Sequence, residues 1–196
     1  TQSLLSPEWN AAITKELKGM MDFDVWEIVP RSSMPPGTKT INTTWVFKVK
    51  SLANGMVERL KARLCARGFL QRYGRDYNHT FAPVARLSTI RLQVALAAKY
   101  GLKMTHLDFK SAFLQGELDV PLYMEPPEGW EETLRPLLKK AGKSIGPNDV
   151  LRLKRGIYGL KQAGRIWYSS MSKGLMELGF QRSPSDTCLF TMIDEE

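Results

Sequence analysis

Cysteine is scarce in this chain. Cys65 and Cys188 are its only two, far apart and with no C-x-x-C pair. That excludes a disulfide framework and a sequence-local zinc site. Both lie in apolar runs and read as small core residues. Histidine is equally scarce, and His79 and His106 share no ligand spacing, so a zinc enzyme or a Ser-His-Asp hydrolase is disfavoured. No apolar run approaches the roughly 20 residues that cross a bilayer, and no signal-peptide pattern opens the chain. The expectation is a soluble intracellular protein with no membrane partner. Internal repeats and low-complexity tracts are absent too.

What is abundant is positive charge: a net +8 and an isoelectric point near 9.5. Basic domains of this size often meet a polyanion, because neutralising phosphates releases counterions. Charge by itself is equally compatible with a protein that binds no nucleic acid.

"SPEWNAAITKELKGMM" predicts a helix, with Ser6 as cap, Pro7 at the first helical position and Glu8 in the first turn. Trp9, Ile13, Leu17 and Met20 or Met21 recur at helical spacing and form its core face. "VWEIVP" predicts a short strand. "TWVFKVKSLANGMVERLKARLCARGF" predicts a hairpin. Trp45, Phe47 and Val49 alternate with Val46, Lys48 and Lys50, Asn54-Gly55 suits a tight turn, and Leu60, Ala62, Leu64 and Ala66 alternate with Lys61, Arg63, Cys65 and Arg67. The basic face is either solvated or a finger that closes over phosphates. Ser88 is the expected cap of an alanine-rich helix that Gly101 ends. "LKMTHLDF" predicts a strand ending at Asp108, and "KSAFLQG" a turn or short helix. Residues 131–149 read as a polar surface loop. "VLRLKRGIYGLKQAG" predicts a strand running through Gly156 and Gly159 into a helix over 162–178, with Ile166, Trp167, Met171, Leu175 and Leu178 as its apolar stripe. "TCLFTMI" predicts a last strand. The order implies an α+β fold: a mostly antiparallel sheet with helices on one side.

A carboxylate at a strand end needs a reason. Asp108 either caps a turn or binds a metal; oxygen ligands suit Mg²⁺ or Mn²⁺, which keep waters and bridge substrate phosphates.

"HLDFKSAFLQGELDVPLYMEPPEGW" resembles the palm motif of copia-type retrotransposon reverse transcriptases. "TWVFKVK", "GMVERLKARLCARGFLQRYGRDYNHTFAPVARLSTIR", "RLKRGIYGLKQAGRIWY" and "GFQRSPSDTCLF" resemble the family's other motifs, in order. Gly164 departs from the family's usual Pro or Ser. The resemblance covers about Pro7 to Phe190. It implies a right-hand polymerase, with residues 1–86 as a fingers-like part and 87–196 as palm. It also implies nucleotidyl transfer with two metals ~4 Å apart, using Mg²⁺ or Mn²⁺, a dNTP and an RNA or DNA template-primer. By the same resemblance Asp108 binds the metals with help from the Phe109 carbonyl, and Phe113 blocks a ribose 2′-OH, although Phe113 also reads as a core aromatic. Lys61 and Arg67 meet the triphosphate or template. Tyr158, Gly159, Lys161 and Gln162 form the nucleotide and template floor, while Lys48, Lys50 and Arg63 contact nucleic acid.

The family's aspartate-pair hairpin does not follow "DTCLF" in this chain, and Asp194, Glu195 and Glu196 are not expected to replace it. The expectation is therefore a reverse transcriptase fragment truncated before that hairpin, partnered by the rest of a Pol polyprotein and inactive as written. The alternative is a non-catalytic nucleic-acid-binding remnant of a decayed element. Cytoplasmic virus-like particles are suggested by the family alone. Uncovered apolar palm surface is a further expectation.

Overall fold

The computed structural model describes residues 6–193. Helix α1 (Pro7–Asp22) starts where the sequence places it, with the Trp9 N–H donating to Ser6 Oγ at 3.3 Å. Its Ile13, Leu17 and Met20 are fully buried. Strand β1 (Trp26–Pro30) leads through a connection over residues 31–42 to the hairpin of β2 (Thr43–Ser51) and β3 (Val57–Ala66). The hairpin register pairs Trp45 with Leu64, Phe47 with Ala62 and Val49 with Leu60. All six lie on one face, which α1 covers except at its Val49 end; the Trp9 and Phe47 rings meet edge-on at 4.8 Å. The Asn54-Gly55 turn forms within a longer connection, residues 52–56, with Gly55 at φ +82° and Asn54 Oδ1 accepting from the Met56 N–H.

A three-stranded antiparallel sheet forms the rest of the core. Strand β4 (Glu117–Met124) and β1 flank β5 (Asp149–Arg155). Ile41 joins β4 through a backbone bond to the Tyr123 carbonyl at 2.7 Å, which ties the hairpin's approach to this sheet. Met124, Val150 and Leu151 are fully buried in its centre.

Several expectations are corrected. Residues 131–149 are a loop only in their second half: α3 (Trp130–Lys140) forms in the first, with Pro136 inside it and Leu134 and Leu138 buried. The apolar spacing Trp130–Leu134–Leu138 is the driving pattern, and burial outweighs the hydrogen bond Pro136 forfeits. Helix α2 (Leu87–Tyr100) has Arg86, not Ser88, at its N-cap position, without a cap from its own side chain; Gly101 closes it in the left-handed region as expected. The cap comes from afar. Asp186 Oδ2 accepts the Arg86 N–H at 3.0 Å, and the Thr89 hydroxyl also bonds this carboxylate.

The predicted strand over 102–109 is irregular, exposed backbone. No strand among the described residues offers it a ladder, and an unpaired strand is not stable in water. Helix α4 (Ala163–Glu177) buries Ala163, Ile166 and Ser172; of the expected stripe Trp167, Met171 and Leu175 are half-buried and Leu178 is 70% exposed. The last strand shrinks to β7 (Phe190–Thr191), paired with β6 (Gln181–Arg182). Apolar surface is exposed along α2 and the segment after it, at Leu92, Leu102, Met104 and Leu107. Asp194, Glu195 and Glu196 lie outside the described residues. No described helix is long and apolar enough to cross a membrane.

Candidate functional site

The second face of the hairpin is built from like charges. Lys48 lies opposite Lys61, Lys50 opposite Arg59, and Val46 opposite Arg63. Directly opposed cations destabilise a strand pair, so this face folds at a cost that an anion would remove. Burial pushes the Lys61 ammonium below its usual pKa; Arg63 adds to the effect and Glu16 opposes it. Glu16 reaches toward this face from α1. Burial raises its carboxyl above the ordinary range, and Lys61, Arg63 and the Leu64 N–H only partly offset that. Its Oε1 is buried without a hydrogen-bond partner.

A recess of about 300 Å³ opens beside these groups, lined by Lys15, Glu16, Arg59, Lys61, Lys110 and Ser111, with Leu114 among its apolar walls. Four cationic side chains thus share this lining with one carboxylate. The segment carrying Asp108 delivers Lys110 and Ser111 into this recess. Asp108 is exposed, and neighbouring packing anchors the segment. The Phe109 ring meets Trp167 of α4 edge-on at 5.0 Å. Ser111 sits at φ +50°, a left-handed conformation costly for a non-glycine residue, and its carbonyl accepts the Leu114 N–H at 2.8 Å. Gln115 Nε2 donates to the Lys110 carbonyl at 2.8 Å.

Beyond the recess, Phe113 is half-buried, edge-on to Tyr158 at 5.4 Å, and the Arg63 guanidinium lies 5.2 Å over the Tyr158 ring. These three expected residues therefore form one cluster. Backbone crowding fixes it. A Cβ on Gly156 would lie 2.8 Å from the Phe113 carbonyl oxygen, and one on Gly159 (φ +87°) would collide with the Ala66 carbonyl. The Ala66 N–H donates to the Tyr158 carbonyl at 2.8 Å, which joins the 158–161 turn to the end of β3.

The remaining expected residues divide. Lys61 lines the recess. Arg67 lies one residue beyond β3, exposed and outside the recess lining, and its N–H donates to the Asn42 carbonyl at 2.9 Å. Lys161 is exposed, with its ammonium 5.1 Å over the Tyr77 ring. Gln162 is 0% exposed; its Oε1 accepts from Gln71 and its Nε2 donates to the Asp76 carbonyl, each at 2.9 Å. Sequence reasoning missed Glu16, Gln71, Asp76, Lys110 and Ser111. Only Glu16 left a signal, as a carboxylate set inside the apolar spacing of α1.

Among the described residues no group of three or more His, Cys, Asp or Glu side chains is placed to share a metal ion. One exposed carboxylate, outside the recess lining, leaves a Mg²⁺ ion to take its other ligands from water and phosphate. It does not complete a two-ion centre.

Comparison with known proteins adds an independent finding. The model of the family described as reverse transcriptase (RNA-dependent DNA polymerase) matches residues 23–196. The chain is 36% identical over 191 residues to the Retrovirus-related Pol polyprotein from transposon RE2 of Arabidopsis thaliana, covering 97% of this chain and 12% of that protein. It is 34% identical over 190 residues to the Retrovirus-related Pol polyprotein from transposon TNT 1-94 of Nicotiana tabacum, covering 95% of this chain and 13% of that one. The chain therefore spans about an eighth of the length of these curated relatives. No solved structure matches it.

Proposed function

Because the chain belongs to the reverse transcriptase family, as a domain like those of copia-type transposon Pol polyproteins, we propose that it contributes the fingers and part of the palm of an RNA-dependent DNA polymerase. Residues 1–86 are the fingers-like part and residues 87–196 the palm. The substrate is a dNTP, the second partner is an RNA or DNA template-primer, and the rest of a Pol polyprotein supplies the remaining parts of the active centre.

The observation that carries this reading is the cationic recess into which the Asp108 segment runs. A triphosphate has the charge to offset Lys15, Arg59, Lys61 and Lys110, which line that recess together. Fixed cations there stabilise charge building on a pyrophosphate leaving group without reorganising. Asp108 holds Mg²⁺ or Mn²⁺, with the Phe109 carbonyl as a further oxygen ligand. Such an ion, when bound, polarises the phosphate and lowers the pKa of an attacking hydroxyl. Further carboxylates must come from outside the described residues. Lys48, Lys50 and Arg63, on the open basic face, bind the nucleic-acid backbone, and Arg67 extends that surface. The Phe113 ring, braced on Tyr158, excludes a 2′-hydroxyl, and Gly159 and Lys161 form the floor.

Equilibrium binding of dTTP with Mg²⁺ tests this reading. Lys61→Ala and Lys110→Ala should each weaken binding about tenfold, the scale of one charge-assisted contact. Asp108→Asn should remove the Mg²⁺-dependent part. Unchanged affinity in both lysine variants would remove the triphosphate from the recess.

A further inference from the structure

The 158–161 turn rests on a buried polar cluster that catalytic chemistry does not require. Gln162, Gln71 and Asp76 are 0%, 5% and 6% exposed. Gln71 Nε2 donates to Gln162 Oε1 at 2.9 Å, Gln162 Nε2 donates to the Asp76 carbonyl at 2.9 Å, and Gln71 Oε1 accepts the Lys161 N–H at 2.8 Å. The Asp76 carboxylate accepts the Arg72 N–H at 2.8 Å and both Arg75 Nε and Nη2, at 2.7 and 2.8 Å.

Both glutamine amides are thus used at their oxygen and nitrogen ends inside the protein. An amide's two ends are not interchangeable, so the pair defines one orientation of the turn relative to the strap of residues 67–77. The backbones are also in direct contact, since a Cβ on Gly68 would collide with the Gly159 carbonyl. The same strap carries Tyr77, whose hydroxyl accepts from Lys161 Nζ at 3.2 Å. Lys161 is therefore held at its backbone by Gln71 and at its ammonium by Tyr77. A buried polar network whose members are all satisfied rigidifies the structure around it, so this one can hold the turn in position.

We propose that Gln71 and Gln162 are a single positioning unit that fixes the Tyr158–Lys161 turn against the nucleotide, and that Gln162 acts through this turn without touching the nucleotide. The proposal rests on the functional reading above and names Gln71 as an equal partner.

The test uses the full chain with a labelled primer–template duplex, Mg²⁺ and dTTP. Gln71→Met and Gln162→Met remove the polar groups at similar volume. Each should weaken dTTP binding about three- to tenfold, the net value of one hydrogen bond, and the double variant should be no weaker than either single one. Duplex affinity without dTTP should change by less than about twofold. The Lys161 amide should exchange faster in Gln71→Met. Gln162→Glu is a second probe. Its carboxylic acid can accept from Gln71 and donate to the Asp76 carbonyl, so dTTP affinity relative to wild type should recover as pH is lowered toward about 5.

If Gln162→Met weakens dTTP while Gln71→Met does not, Gln162 touches the nucleotide and the proposal is overturned. If both variants lower the urea midpoint yet leave dTTP affinity intact, the cluster is structural only and the proposal is again overturned. A wild-type chain with no affinity for dTTP would sink the functional reading itself, and this inference with it.

Discussion

Replacing Gly159 by alanine should destabilise the chain by about 3–5 kcal/mol, for three separable reasons. The residue sits at φ +87°, where an L side chain costs about 1–2 kcal/mol. The new Cβ would stand far inside van der Waals contact with the Ala66 carbonyl oxygen, and that neighbour is strand backbone, which cannot swing aside. Relief requires separating the turn from β3. That breaks the 2.8 Å bond from the Ala66 N–H to the Tyr158 carbonyl, and a buried donor left without a partner costs about 1–3 kcal/mol. Gly55→Ala is the control. Gly55 has φ +82° but nothing within 4 Å of its would-be Cβ, so it carries the dihedral cost alone. Urea unfolding followed by tryptophan fluorescence reads the difference. At a slope of about 1–3 kcal/mol per molar urea, Gly159→Ala should unfold about 1 M earlier than Gly55→Ala. Coincident midpoints would show that β3 and the turn can separate freely, and would refute the tight coupling of hairpin to floor.

Three further outcomes follow from the charged groups. Burial raises the Glu16 carboxyl above its ordinary value, so its ionisation opposes folding. Stability from this site is fully present below the unfolded pKa of about 4.3 and is lost as pH rises through the raised folded value. Glu16→Gln should therefore have the higher urea midpoint at pH 7 and a flatter profile between that pH and 4.3; an unchanged profile refutes this. Burial also acts to raise Asp76, but hydrogen bonds from Arg75 and the Arg72 N–H outweigh it and leave the carboxyl below its ordinary value. Its contribution is present above the unfolded pKa of about 3.9 and lost as pH falls through the folded value. Asp76→Asn should cost about 1–3 kcal/mol at pH 7, and the gap to wild type should close in acid when unfolding is followed by circular dichroism. Asp186→Ala should speed amide exchange at residues 86–90 and at Cys188, whose N–H the same carboxylate accepts; protection unchanged at 86–90 would show that the cap is dispensable.

The parts of the fold legible in the sequence are those specified locally. Ser6-Pro7-Glu8 and the spacing of Ile13, Leu17 and Met20 set α1, and strict alternation around Asn54-Gly55 sets the hairpin, its faces and the opposition of Lys48 to Lys61. Helix α3 was hidden because Pro136 and its charges imitate a loop, although Trp130, Leu134 and Leu138 carry the helical period. The segment before Asp108 has strand-like alternation, but a strand exists only with a partner, and sequence alone did not show that none is available. For the site, the motifs singled out Phe113, Tyr158 and Arg63, which the fold brings into one cluster, whereas Lys61 lies in a separate recess. Gln71 and Asp186 could not be singled out, since their partners lie 91 and 100 residues away and nothing near either residue hints at them.

The hydrogen bond from Arg86 to Asp186 also sets a timetable for synthesis. A ribosome adding about 5–20 residues per second takes about 5–20 s to travel the 100 positions between the two. Throughout that interval the nascent α2 has emerged without its distant anchor, and Leu92 and Leu96 are still exposed even in the finished fold. Chaperone capture during translation should therefore concentrate on the stretch from Leu87 to Tyr100.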